Sequence, residues 1–138
     1  MIARRFRLSR STWFRKTLDT QPLFRHKGCV VYGLPRQMQA PPPQGAPLQA
    51  LPSTPCFFGV IASKKVDKRA VIRNRFRRWV YEAIRLDWLE HPTLHQRYAA
   101  MVVIVRGGMA ELDFETFRQG FGGHMTRTLG QATGVVRH

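Results

Sequence analysis

The sequence is poor in acids. Aspartate and glutamate together number 8 in 138 residues, against 23 lysines and arginines, which leaves a formal net charge of +15. Such an excess repels itself in a compact fold and favours a polyanionic partner, with nucleic acid first and an anionic membrane surface second. The acids are also scattered, so no protein-borne two-metal hydrolytic site is expected. Cysteine is nearly absent. Cys29 and Cys56 stand alone in apolar, strand-like surroundings and read as reduced packing residues, not a bridge or a metal pair. No apolar run approaches the length that spans a bilayer. The N-terminus MIARRFRLSRSTWFRK has no apolar segment or small-residue cleavage site behind its cations, so it is not a secretory signal. It is Arg-rich and acid-free like a mitochondrial presequence, but Pro22 and a strand-like run follow directly. The expected location is the cytoplasm.

Hydrophobic residues make up 43% of the chain, too many for a disordered basic tail, and the length fits one domain over 1–138. A basic arm at 1–10 leads to a short helix capped by Ser9 or Ser11 and ending near Leu18, with Phe14 and Leu18 on one face. Pro22 ends the helical signal. Cys29–Leu34, CVVYGL, reads as a strand. Residues 35–55 hold seven of the nine prolines and read as an inserted loop. Phe57–Ser63 is a second strand and Lys64–Arg69 a basic turn. Ala70–Leu86 is the strongest helix. Leu89–Arg97 reads as a loop or helix end broken by Pro92. Ala99–Val105, AAMVVIV, is apolar on both faces and suits the interior of a sheet. Asp113 is placed to cap a last helix carrying Phe114, Phe117, Phe121 and Met125, weakened by Gly120, Gly122 and Gly123, with a fraying tail at 130–138. Strand, helix and strand from Phe57 to Val105 imply at least one parallel pair. The class is α/β (α+β), a two-layer sandwich of helices on a small sheet.

At a hundred degrees per residue, Ile72, Phe76, Trp79, Val80 and Ala83 share one side of the strong helix, with Ile84 at its edge. Asn74, Arg78, Tyr81 and Arg85 lie opposite, and Arg73, Arg75, Arg77 and Glu82 fill the flanks. The stripe makes a rigid platform and the platform fixes the cations, so each guanidinium can grip a phosphate through two hydrogen bonds at little ordering cost. Solvated helix faces usually mix signs; between Lys64 and Arg78 the only acid is Asp67. Nucleic-acid contact is therefore expected. Composition alone does not choose RNA over DNA. His91 and His95 have the spacing of a helical metal pair, but Pro92 lies between them and no third ligand is near, so no metal role is expected. Gly107-Gly108 is a turn signal, not a phosphate loop.

The ordered run Ser63-Lys64-Lys65, Ala70-Val71, Arg73-Asn74-Arg75, Arg77-Arg78 and Glu82 resembles the signature of the bacterial ribonuclease P protein subunit. More weakly, RLSRSTWF, the strand at Ala99–Val105 and the Phe-rich last helix also resemble that family. The resemblance implies an α/β fold with a left-handed strand–helix–strand crossover. It implies a protein that is monomeric when free and joins the catalytic RNA of ribonuclease P one to one. Arg69, Arg73, Asn74, Arg75, Arg77 and Arg78 would contact that RNA, and Phe14, Lys64, Lys65 and Lys68 would serve the 5′ leader of precursor tRNA or the RNA itself. For Phe14 core packing is an equal alternative to stacking; the sequence leaves both open. The holoenzyme would hydrolyse one phosphodiester to make the mature tRNA 5′ end, with Mg²⁺ used by the RNA and none held specifically by the protein. Three features depart from the family: little room for its extra strand before Cys29, Leu18 in place of a second aromatic, and the long Pro-rich loop. A ribosomal or ribosome-assembly RNA binder is the competing class. A DNA regulator would need a helix-turn-helix or a dimer element, and neither is apparent.

Overall fold

The computed structural model describes residues 6–8, 11–36 and 56–131. The elements are α1 (Ser11–Leu18), β1 (Pro22–His26), β2 (Cys29–Pro35), β3 (Phe57–Ile61), α2 (Ala70–Asp87), α3 (Pro92–Arg97), β4 (Tyr98–Val105), a 3₁₀ turn at Gly107–Glu111 and α4 (Phe114–Gln131). They build a four-stranded sheet in the order β1-β2-β4-β3. β1 with β2 and β2 with β4 are antiparallel, and β3 with β4 is the expected parallel pair. β4 is interior and buried along its length except at Ile104.

The pleat sends alternate residues of β4 to opposite faces. Met101, Val103 and Val105 join the larger core beneath α2 and α4, with Phe58, Phe76, Val80, Phe117 and Phe121. Ala100 and Val102 join a smaller cluster with Leu8 and Leu34 beneath Trp13, Phe14 and Leu18 of α1. The mixed architecture matches the sequence expectation, with the helices divided between the two faces of the sheet. Phe76, Val80, Ala83 and Ile84 are the buried residues of α2, as the stripe predicts. Each of the larger ones contributes about 1.5–3 kcal/mol by leaving water. Trp79 is half-buried against Phe76 and Phe114, with ring centroids 5.5 and 6.2 Å away. Tyr81 departs from the wheel: it packs against the larger core rather than facing solvent.

Three other expectations need correction. The strand with little room before Cys29 is present: β1 is a five-residue edge strand joined to β2 through Lys27-Gly28. Pro22 is tolerated there because it opens an edge strand. Pro92 starts α3 rather than breaking a helix, since proline's missing N–H and fixed φ suit the first turn. The last helix runs through Gly120, Gly122 and Gly123 and on to Gln131. Gly120 has a packing reason, because a Cβ there would collide with the His26 ring. Asp113 accepts from the Thr116 amide at 2.7 Å, the expected cap. The Ser9 alternative for the first cap, most of the Pro-rich loop (37–55) and the tail from 132 lie outside the described residues.

Candidate nucleic-acid interface

β3 ends at Ile61, and the chain passes through Ser63, Lys64 and Lys65 before entering α2 at Ala70. Asp67 organises this turn. Its Oδ1 accepts from the Arg69 amide at 2.8 Å and from Arg69 Nε at 3.1 Å, and its Oδ2 accepts from Arg69 Nη2 at 3.0 Å. These hydrogen bonds from Arg69 hold the carboxyl at about 2, below its ordinary value. The only acid of the turn is therefore already neutralised, and the first turn of α2 carries none. The free N–H groups and the dipole at that helix end add to the positive potential.

The arginines expected to act alike do not have the same surroundings. Arg73 Nη1 donates to the carbonyls of Asp67 at 3.1 Å and Lys68 at 2.9 Å. Arg77 Nη1 donates to Asn74 Oδ1 at 2.5 Å and Nη2 to the Ala62 carbonyl at 3.2 Å. Arg75 and Arg78 are exposed, as are Lys64, Lys65 and Lys68. Among the described residues none of these five cationic groups has a hydrogen-bonding or ion-pair partner. Arg78 lies one turn beyond Asn74 and Arg75 along α2, and all three flank the side of Val71, which is 63% exposed. At the following turn the pattern ends: Arg85 Nε donates to Glu82 Oε1 at 2.7 Å, and the pair neutralises itself.

Phe14 lies on the other face of the sheet. It is half-buried in the smaller cluster, and its ring sits over β3 at Gly59, where an added Cβ would come within 2.5 Å of two ring carbons. Lys16 Nζ stands 5.2 Å from the Trp13 ring centroid. The next row of side chains on this face follows from the register: Arg25 pairs with Val30, Val30 with Ile104, and Ile104 with Ile61. Arg25 is exposed and Ile104 and Ile61 are half-buried, so the row is a partly open apolar strip with a cation at the β1 edge. The helix arginines and Phe14 therefore form two surfaces on opposite sides of the sheet, and the end of β3 with the lysine turn runs between them. Sequence reasoning missed Arg25, Ile61 and Ile104. Gly59 in the middle of a strand was the available signal, because such a glycine often marks a close approach.

His91 and His95 do not pair. His95 Nδ1 accepts from the Cys56 amide at 2.9 Å, which leaves its Nε2–H to donate to the Leu89 carbonyl at 2.5 Å. His91 instead packs on Trp88, with ring centroids 5.3 Å apart. Among the described residues no three His, Cys, Asp or Glu side chains cluster so as to hold a metal. No helix among them is long and apolar enough to cross a membrane.

Comparison with known proteins gives this geometry a family. The ribonuclease P protein components of Rickettsia canadensis and Symbiobacterium thermophilum are 36% and 41% identical to it over 58 and 66 residues. Those alignments cover 42% and 48% of this chain and 48% and 53% of the relatives. The chain thus spans about half the length of the curated relatives it matches. The fold is similar to that of a Staphylococcus aureus RNase P protein mutant with defective mRNA degradation activity, with a TM-score of 0.65, 16% identity and coverage of 88% of this chain and 86% of that one. It is also similar to the RNase P protein from Thermotoga maritima, with a TM-score of 0.58, 20% identity and coverage of 88% and 96%. The family model for Ribonuclease P matches residues 2–129, nearly the whole chain, and on that match the chain belongs to the ribonuclease P protein family.

Proposed function

We propose that this chain is the protein subunit of a cytoplasmic bacterial ribonuclease P, which binds the catalytic RNA through α2 and its preceding turn and guides the 5′ leader of precursor tRNA. The observation that carries the reading is the exposed set Lys64, Lys65 and Lys68 on the turn and Arg75 and Arg78 on α2, with no partner among the described residues, where the opposite side of α2 is locked into the core. A helix fixed in this way holds its cations at set spacings. Phosphates displace counterions there without the protein first ordering its side chains, and affinity should fall steeply with salt.

The leader is assigned to the face beneath α1. Phe14 offers a half-exposed ring, and the strip from Arg25 to Ile61 offers an apolar floor with one cation. Stacking on such a ring is worth roughly 1–3 kcal/mol per base and tolerates any sequence. Phe14 then both packs and stacks, its edge on Gly59 and its free side toward the leader.

The holoenzyme would hydrolyse one phosphodiester to leave the mature tRNA 5′ end, with Mg²⁺ held by the RNA. The protein's part is electrostatic. Its cations lower the repulsion between two RNA backbones, so less Mg²⁺ is needed to bring them together. One copy of the protein serves one RNA.

The test is competition. A bacterial ribonuclease P RNA transcript and a ribosomal RNA fragment of equal length are titrated against the protein at the same salt. Preference for the ribonuclease P RNA supports the reading. Equal or tighter binding to the ribosomal fragment would contradict it and favour a ribosomal role.

A further inference from the structure

Sequence gives Arg73, Arg75, Arg77 and Arg78 one role, but their partners divide them. Arg73 spans the turn between β3 and α2 and closes it by donating from one nitrogen to the carbonyls of Asp67 and Lys68. Arg77 reaches across to the last residue before that turn and donates to the Ala62 carbonyl, so helix and strand end are joined by a guanidinium. Its other nitrogen donates to Asn74 Oδ1. That bond occupies Asn74 Oδ1 and leaves its Nδ2 hydrogens as the group offered to a ligand, beside the exposed Arg75 and Arg78.

We infer that Arg73 and Arg77 are positioning residues: they fix the lysine turn and the orientation of Asn74, while Asn74, Arg75 and Arg78 make the contacts. The inference rests on α2 being the RNA-binding face. It explains why arginine stands at position 77, where the two acceptors meet separate nitrogens of the guanidinium. A guanidinium can serve two carbonyl acceptors along a fixed fork, whereas an ammonium on a flexible stem is a point charge without that geometry. The resulting surface presents donors only, from the Asn74 amide, two guanidinia and the three lysines of the turn. Such a surface suits phosphate oxygens and base acceptors.

Charge-conserving substitutions separate the two roles. Binding of a bacterial ribonuclease P RNA transcript is measured across a salt series for Gln and Lys variants at each of the four positions, at a temperature where circular dichroism shows each folded. Arg75→Gln and Arg78→Gln should each lower the salt slope by about one, and Arg75→Lys and Arg78→Lys should keep the slope. Arg73→Lys and Arg77→Lys should weaken binding about tenfold with the slope unchanged, because the charge remains and the hydrogen bonds are lost. Amide exchange on the free proteins decides independently of RNA. It should speed up through residues 62–69 in the Arg73→Lys and Arg77→Lys variants and stay as in the wild type for Arg75→Lys. The inference is overturned if Arg77→Lys binds and exchanges like the wild type while Arg77→Gln lowers the slope by about one. If Arg75→Gln and Arg78→Gln also leave affinity and slope intact, α2 is not the RNA face, and the functional reading falls together with this one.

Discussion

The Phe14 ring rests on the bare Cα of Gly59, so that the first helix meets the sheet where a strand has no side chain. Gly59→Ala places a Cβ inside the ring's van der Waals envelope and within 3.3 Å of Leu8 Cβ. Phe14 is half-buried and can swing outward, so the loss should fall at the low end of the overpacking range, about 1 kcal/mol by urea denaturation. The larger effect should be on the leader. Precursor tRNA with a leader should lose its affinity advantage over mature tRNA, while binding of the catalytic RNA is unchanged. Retention of that advantage would mean that Phe14 is only a packing residue.

His95 holds three segments together. It accepts from the Cys56 amide, donates to the Leu89 carbonyl, and its own carbonyl accepts from Arg36 Nε at 2.6 Å. His95→Ala leaves the Cys56 N–H and the Leu89 carbonyl without these partners. A loss of about 1–3 kcal/mol is expected from the urea midpoint, more than for an exposed histidine. An unchanged midpoint would show that water replaces the ring.

Residues 37–55 should be dispensable for the fold. Pro35 pairs with Tyr98 and Phe57 with Ala100, so β2 ends and β3 begins at the same end of the sheet, on either side of β4. Two strand spacings separate them, roughly 10 Å. A linker of about six Gly and Ser residues spans that distance. The shortened protein should keep its melting temperature within roughly a few degrees and its affinity for the catalytic RNA. Failure to fold would give the Pro-rich segment a structural role.

Acid should loosen β1 from α4. His26 Nδ1 accepts from the Gly28 amide at 3.1 Å, and His124 Nδ1 accepts from Arg127 Nη2 at 3.0 Å, so both imidazoles are held neutral. The rings lie 5.7 Å apart; His26 also packs on Phe117 and His124 on Phe24. Burial first, then the charge of His124 for His26 and that of Arg127 for His124, depresses both below the ordinary 6.5. The unfolded chain therefore binds more protons. Stability is complete above about 6.5 and falls as pH drops through the depressed native values. The melting temperature should fall by roughly a few degrees between pH 7 and 5, and His124→Phe should flatten that part of the profile. A profile as steep in the variant would place the titration elsewhere.

What the sequence made legible follows from how sharply each pattern is spaced. The stripe of α2 has a single period and is placed almost to the residue. In contrast, CVVYGL and AAMVVIV are apolar on both faces, so nothing in them tells which side α1 covers, and the row from Arg25 to Ile61 stayed hidden. β1 was obscured because Pro22 signals a stop and the strand is only five residues long. The turn-closing role of Arg73 and the strand-end tie of Arg77 depend on carbonyls 5, 6 and 15 positions away. Residue type alone cannot distinguish them from Arg75 and Arg78. The cationic helix was therefore readable as a candidate site, and the hydrogen bonds that set its arginines apart were not.

The most direct measurement is cleavage of a precursor tRNA by a bacterial ribonuclease P RNA at low Mg²⁺, with and without this protein, as wild type and as Arg75→Ala/Arg78→Ala. The account predicts accurate 5′ cleavage with the wild-type protein, and at least about tenfold less with the double variant at the same protein concentration. Folded wild-type protein that leaves cleavage at the level of the RNA alone, while binding other RNA tightly, would contradict it.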